Sequence, residues 1–346
     1  MKSFLTTIAI LAITISTSQA TTLPTHASRT ANPSGCSTCH FTNNAGKNTH
    51  STCFQCHTNQ INIIKRLPEQ ARPFGIQPQD IEAEYKKRYH HPSYSPKLHS
   101  AKETLPETNP RAPRHADCVD CHDHHGTTPE KKLIAPYNLN QSSRTQEQLP
   151  EHLLCYRCHG DSANLPGRYT NKKNEFNPSN ASFHPIETTS RNSAVVSLIR
   201  TAKSTALLTC SSCHASDNRN APRGPHGSNY EHILTDNYST ADNQPESSYA
   251  YALCYRCHKR DSILSNESFK FHSTHIQGIP GKSRGTSCYT CHNSHGSDSK
   301  YLIKFNSQIV SPNKSGLLKY QELGNARFSG KCFLNCHGYE HNPKSY

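Results

Sequence analysis

Sixteen cysteines and 24 histidines give this 346-residue chain its reactive side chains, and nearly all the cysteines obey one spacing. Seven groups read Cys-x-x-Cys-His: Cys36/Cys39/His40, Cys53/Cys56/His57, Cys118/Cys121/His122, Cys155/Cys158/His159, Cys210/Cys213/His214, Cys254/Cys257/His258 and Cys288/Cys291/His292. An eighth, Cys332/Cys336/His337, has one extra residue between its cysteines, and no cysteine is left over. Zinc sites use paired cysteines, and disulfides form in oxidising compartments, but neither demands a histidine directly after every second cysteine. Two thiols that add across two vinyl groups, followed by an imidazole placed under the iron, do demand it. The pattern therefore predicts eight covalently bound haem c groups, with His40, His57, His122, His159, His214, His258, His292 and His337 as proximal iron ligands. At Cys332 and Cys336 the wider loop must bulge to keep both sulfurs on one haem.

The sixth ligand decides what such haems do. The only methionine is Met1, which leaves with the leader described below. Eight proximal histidines leave sixteen others, His341 among them, and eight of those suffice to close every iron. The sequence repeat selects a set. Three segments place an aromatic residue before histidine, at Tyr89-His90-His91, Phe183-His184 and Phe271-His272, each ahead of a haem motif. Three His-Gly steps follow, at His125, His226 and His295, and a second motif comes after each. The distal candidates are thus His91, His184 and His272, with His26 as counterpart near the N-terminus, and His125, His226 and His295, with His50 as counterpart. His90 competes with His91, His124 with His125, and His275 with His272. Bis-histidine haems lack the thioether that raises potential and have no open axial site, so they are low-potential and pass electrons rather than bind substrate.

The paired motifs recur at fixed distances, 44 residues from Cys210 to Cys254 and 44 again from Cys288 to Cys332, with 37 from Cys118 to Cys155. Cys118-Val-Asp-Cys-His-Asp-His-His-Gly126, Cys288-Tyr-Thr-Cys-His-Asn-Ser-His-Gly296 and the two Leu-Cys-Tyr-Arg-Cys-His segments ending at His159 and His258 carry a likeness. Over about residues 89 to 340 the chain resembles the doubled C-x-x-C-H family of multihaem (octahaem) c-type cytochromes. The second repeat departs from that pattern, with eleven residues between His214 and His226, and the first pair is compressed to 17 residues from Cys36 to Cys53. The resemblance implies an electron carrier of stacked haems with little regular secondary structure, in some members a subunit of extracellular filaments.

The elements that must position these ligands are sparse. Hydrophobic residues make up 32% of the chain, mean hydropathy is -0.80 and there is no tryptophan, too little apolar surface to offset chain entropy without help. The fold class that follows is a multihaem cytochrome, mostly irregular coil with short α-helices packed around a chain of stacked haems. Residues 1–20 read as a signal peptide, with Lys2, a run of about 12 apolar residues and small residues to Ala20; a spanning helix needs about 20. The rest divides into an N-terminal dihaem segment at 21–60 and dihaem repeats at 61–160, 161–260 and 261–346. One helix is predicted from an Asp80 N-cap through Ile81, Tyr85 and Tyr89, with Glu82/Lys86 and Glu84/Arg88 pairs, delivering His90 and His91. Another is predicted over 194–208, with loops at 100–114, 160–182 and 215–247.

A net charge of +13 ordinarily points to nucleic acid or an anionic surface. Haem propionates change that reading. Eight bis-histidine haems carry about one negative charge each when ferric and two when ferrous, leaving the mature protein at roughly +4 oxidised and -4 reduced. The expected function is therefore that of a secreted, periplasmic or extracellular electron conduit. Its partners are other redox proteins, extracellular acceptors or further copies of itself, with no nucleic acid and no transmembrane anchor. The rival is a multihaem oxidoreductase of the nitrite, hydroxylamine or tetrathionate type. Such enzymes need one haem with an open side, and several use Cys-x-x-Cys-Lys, which is absent here.

Overall fold

The computed structural model describes residues 26, 52–73, 78–93, 116–122, 150–160, 170–191, 195–203, 207–324 and 328–346. The expectations for residues 1–20, Cys36, Cys39, His40, His50 and His125 lie outside the described residues. Regular elements are short. Glu151–His159, at nine residues, is the longest helix among the described residues, and none is long and apolar enough to cross a membrane. Small apolar clusters stand in for a continuous core, the clearest being Ala250, Tyr251 and Ile276, against which Tyr238, Tyr255 and Ile263 pack.

What orders the chain is a repeated stitch between segments far apart in sequence. Tyr89–His90 pairs antiparallel with Gly227–Ser228, and Ser182–Phe183 pairs in the same way with Gly296–Ser297. Each two-residue strand thus joins an aromatic-histidine segment to the His-Gly step of the following repeat. Further bonds recur at matched positions. Ser228 Oγ donates to Leu234 O and Ser297 Oγ to Ile303 O, both at 2.6 Å. The chain between reverses through left-handed residues in both copies, His232 and Ile233 at φ 60° and 56°, Tyr301 and Leu302 at 61° and 57°. Arg157 Nη1 donates to Asp120 O at 3.0 Å, and Arg256 Nη1 to Ser212 O at 2.9 Å, tying the second motif of each pair to the first.

Four expectations for local structure need correction, the first being the loop over 215–247, which contains the strand Gly227–Ser228 and a 3-10 turn at Glu231–Ile233. Asp80 Oδ1 accepts from Ala83 N–H at 3.0 Å, although the N-cap residue of the helix is Ile81, and Lys86 pairs with Glu82 at 3.3 Å. That helix, Glu82–Tyr85, stops four residues before Tyr89, because Tyr89 and His90 are committed to the strand pair with Gly227 and Ser228. Glu84 turns to Lys87 at 2.7 Å rather than to Arg88. The helix expected over 194–208 is reduced, among the described residues, to a 3-10 turn at Arg200–Lys203; Leu198 bridges to His258 instead. The loop expected over 160–182 contains a helix at Lys172–Glu175, capped by Asn171, and the strand residue Ser182.

The C-terminus forms a four-stranded antiparallel sheet. Gly330–Cys336 lies between Tyr339–Ser345 on one side and Lys319–Glu322 with Val310–Ser311 on the other. The eighth motif therefore sits on a strand, and the bulge expected between Cys332 and Cys336 is not there. Irregularity falls on the partner strand instead, between His341 and Lys344. Ladder bonds on both edges hold Cys332 through Cys336 extended.

Near the N-terminal end, Glu82 clamps the residues after His57. Its carboxylate takes both guanidinium nitrogens of Arg66 at 3.1 and 3.2 Å, the Thr58 hydroxyl at 2.5 Å and Lys86, while Glu82 N–H donates to His57 O at 3.1 Å. Burial alone would raise this carboxyl, but Arg66, Thr58 and Lys86 outweigh it and hold it at about 2. A depressed carboxyl contributes stability that is full above its ordinary value of 4.5 and is lost as pH falls toward 2. The loss should be about 1–3 kcal/mol, since Arg66 is partly solvated. Denaturant midpoints of the protein should fall between about pH 6 and about pH 3, and Glu82→Gln should remove that component; an unchanged pH dependence in the variant would contradict the clamp.

Candidate metal centres

Each described regular motif uses a turn of chain to aim three side chains. Cys118–Cys121 and Cys288–Cys291 are four-residue helices, and Cys210–Ser212 is a 3-10 turn. Asp117 and Thr209 close capping boxes at two of these N-termini. The turn puts the two thiols of a motif about 5 Å apart along the axis. The motif of Cys53 and Cys56 is less regular. Helix covers residues 52–53 only, and Cys56, expected with Cys53 as a haem-attachment residue, lies in the hydrogen-bonded turn at 54–56 that follows. The reversal is kept all the same, since Cys56 N–H donates to Cys53 O at 3.2 Å and both cysteines are half-buried.

At two motifs the histidine then leaves the turn in extended conformation, φ -117° and ψ 131° at His122, φ -117° and ψ 135° at His292, while His159 is the last residue of its helix. The motif histidine's backbone N–H donates to the first cysteine's carbonyl, at 2.9 Å for His57, 2.8 Å for His122, 2.9 Å for His214, 3.0 Å for His258 and 2.9 Å for His292.

Each of the six described histidines of these regular motifs faces a second histidine. Ring centres lie 6.0 Å apart for His57 and His26, 6.0 Å for His122 and His226, and 6.3 Å for His159 and His91. They lie 6.2 Å apart for His214 and His295, and 6.4 Å both for His258 and His184 and for His292 and His272. Two of these pairs cross repeats: the first motif at 118 receives His226, and the first motif at 210 receives His295.

The rings are held in the state a metal needs. A ring nitrogen beside a carbonyl must carry the proton, which leaves the other nitrogen with a free lone pair. His91 Nδ1 donates to Pro225 O at 2.6 Å, His214 Nδ1 to His232 O at 2.8 Å, His292 Nδ1 to Tyr301 O at 2.9 Å, and His184 Nδ1 to Ser294 O. His295 Nδ1 donates to Glu175 Oε2 at 2.9 Å. Burial would raise the Glu175 carboxyl, but His295, Lys172 and Thr170 overcome it and hold it below the usual range. Burial also depresses the imidazoles, to about 4 at His214 and His258 and about 3 at His226 and His272. Unprotonated imidazole is the ligating form.

An iron in line between two imidazole nitrogens, at bonds of about 2 Å, separates the ring centres by about 6.3 Å. Every pair above falls within a few tenths of that value, with a cysteine pair beside it, so the residues fit c-type haem. Comparison with known proteins finds no matching family model, curated protein or solved structure. A separate cluster of Glu151, Cys155 and Cys210 has metal-ligand spacing. Glu151 is accounted for otherwise, since its oxygens accept from the N–H and hydroxyl of Ser211, both at 2.7 Å, at the start of a motif turn.

The described motifs follow one another in space as they do in sequence. First cysteines of successive motifs lie side by side, Cys53 by Cys118, Cys155 by Cys210 and Cys254 by Cys288. Between these contacts, Cys121 neighbours Cys158, Cys213 neighbours Cys257, and Cys291 neighbours Cys332 and Cys336. The contacts alternate along a single file.

Of the expected distal residues, His26, His91, His184, His226, His272 and His295 each face a motif histidine. His90 is exposed, its Nδ1 turned back to His91 O. His272 and His275 are not competitors. Both lie on the helix His272–Gln277; His272 faces His292, while His275 faces His341 at 6.4 Å. Sequence reasoning left His341 unassigned, and the available signal was the second histidine, three residues after His272. His337, expected as a proximal ligand, faces no histidine among the described residues; its Nε2 lies 2.5 Å from Asp242 Oδ2.

The His-Gly steps have a steric cause. A methyl group at Gly227 would stand 1.9 Å from Glu84 O, and one at Gly296 would stand 1.8 Å from Glu175 O. Those carbonyls belong to the elements whose Tyr85 and Phe176 rings pack on His226 and His295, at 5.9 and 5.0 Å. Gly227→Ala should cost about 2–3 kcal/mol in denaturant unfolding of the protein. Gly316→Ala, at φ 75° with open space around it, should cost only about 1 kcal/mol. Equal losses would contradict the close approach.

Proposed function

We propose that this chain is a secreted octahaem c-type cytochrome that conducts electrons through low-potential, bis-histidine haems. The observation that carries this reading is the set of histidine pairs whose ring centres lie 6.0–6.4 Å apart, each beside a cysteine motif. Haem supplies one-electron chemistry when bound; the chain's own residues orient the imidazoles, keep them neutral and close both faces of each iron. His91, His184 and His226 reach their partners from other segments, so closure is built into the chain's stitching rather than left to solvent. Single-file motifs support a linear conduit over a cluster around one reaction centre. The oxidoreductase reading needs an open axial position, and the six described regular motifs each have a second histidine opposite. The arm residue His26 faces His57 of its own chain, so filament assembly is not needed to complete that pair.

Intact-mass measurement should find covalent haem that survives denaturation, and spectra should be low-spin when oxidised and when reduced, with negligible carbon monoxide binding. His226→Ala should open the iron at His122, one repeat earlier, and make about one haem in eight bind carbon monoxide. Absence of covalent haem would overturn the function. A high-spin fraction of one in eight in the unaltered protein would restore the oxidoreductase.

A further inference from the structure

The eighth motif breaks the pattern at every level. At His122 and His292 the histidine after the second cysteine is extended, with φ near -117°, and His159 ends a helix. His337 instead has φ 52° and is followed by Gly338 at φ 77°, so the two form the tight turn between the strands Gly330–Cys336 and Tyr339–Ser345. Left-handed residues in sequence are what a two-residue hairpin turn requires. The turn throws the His337 side chain outward, 51% exposed, against Asp242. The cysteines differ as well. A strand spreads Cys332 and Cys336 to about 13 Å along the backbone, whereas a helical turn keeps motif thiols close.

Strand geometry supplies a different histidine. Side chains alternate across a strand, so Cys332, Leu334 and Cys336 share one face of the sheet. His341 pairs directly across from Leu334, and cross-strand partners lie on the same face. His341 therefore stands on the face that carries both thiols. Opposite it is His275, 6.4 Å away between ring centres, the same separation as in His184/His258 and His272/His292. His275 Nδ1 donates to Phe271 O at 2.7 Å, which fixes its tautomer as in the other pairs and leaves Nε2 with its lone pair. The His341 Nδ1 is buried with no hydrogen-bond partner among the described residues. Placement agrees too, since Cys332 and Cys336 neighbour Cys291 of the preceding motif.

We infer that the eighth iron is held between His275 and His341, and that His337, although it follows Cys336, is not an axial ligand. The inference rests on the haem reading above. The helix His272–Gln277 then serves two consecutive centres from one turn, His272 to the seventh and His275 to the eighth.

The test uses full-length protein matured with its haems. Total haem is first counted by the pyridine haemochrome assay, which reads haem whether or not both sulfurs are attached; absence of haem would overturn the parent function and not this assignment alone. His275→Ala and His341→Ala should each turn about one haem in eight high-spin and carbon-monoxide-binding, and the double variant should show the same single fraction, because both residues act on one iron. His337→Ala with its full haem complement should stay low-spin. A high-spin fraction in His337→Ala, a low-spin His341→Ala, or two opened haems in the double variant would each overturn the assignment.

Discussion

The separation of two imidazole rings is the quantity on which the rest of this structure depends. Seven histidine pairs among the described residues lie at 6.0–6.4 Å, although their backbones come from helical turns, two-residue strands, a hairpin and coil. Secondary structure is not what is repeated; ligand spacing is. Under the proposed reading the iron supplies that constraint, and each haem supplies the apolar surface that the chain lacks. Thin apolar clusters such as Ala250, Tyr251 and Ile276 then pack between cofactors rather than forming a core of their own.

The repeats are interlocked. His226 of one repeat faces His122 of the one before, and the strand bearing His90 hydrogen-bonds to the strand after His226. The same arrangement recurs between His295 and His214, with Phe183 against Gly296. Each unit therefore completes its predecessor's centre, as in other repeat architectures where a unit is stable only against its neighbour. One stitch fixes two adjacent ligands at once, because His91 N–H donates to His226 O and His184 N–H to His295 O. This coupling keeps successive motifs in single file and suits a conduit in which each site must be near two others.

Much of the proposed ligand set was legible because covalent attachment, on the haem reading, imposes a local signature. Two thiols and an imidazole within five residues need one tight turn, and that requirement survives any tertiary arrangement, even at Cys53 and Cys56 where the helix is cut short. The aromatic-histidine and His-Gly segments were legible for a related reason: Gly227 and Gly296 have a carbonyl where a side chain would be, so the sequence step records a packing constraint. The helix after Asp80 was overextended because its pattern carries no sign that Tyr89 and His90 pair with residues 227 and 228. Under the inferred assignment, the eighth centre departs from its motif for the opposite reason. Its local motif looks nearly regular, but a two-residue turn at His337-Gly338 and ladder bonds on both sides of Cys332–Cys336 override it, and His341 comes into position only through cross-strand register.

The central claim is that irons sit between the named histidines in sequence order. Anomalous scattering at the iron edge from crystals of the haem-loaded protein locates each iron directly. The account predicts iron peaks midway between His26 and His57, His122 and His226, His91 and His159, His214 and His295, His184 and His258, and His272 and His292, running in single file in that order. Irons away from these midpoints, or grouped around one centre, would contradict it.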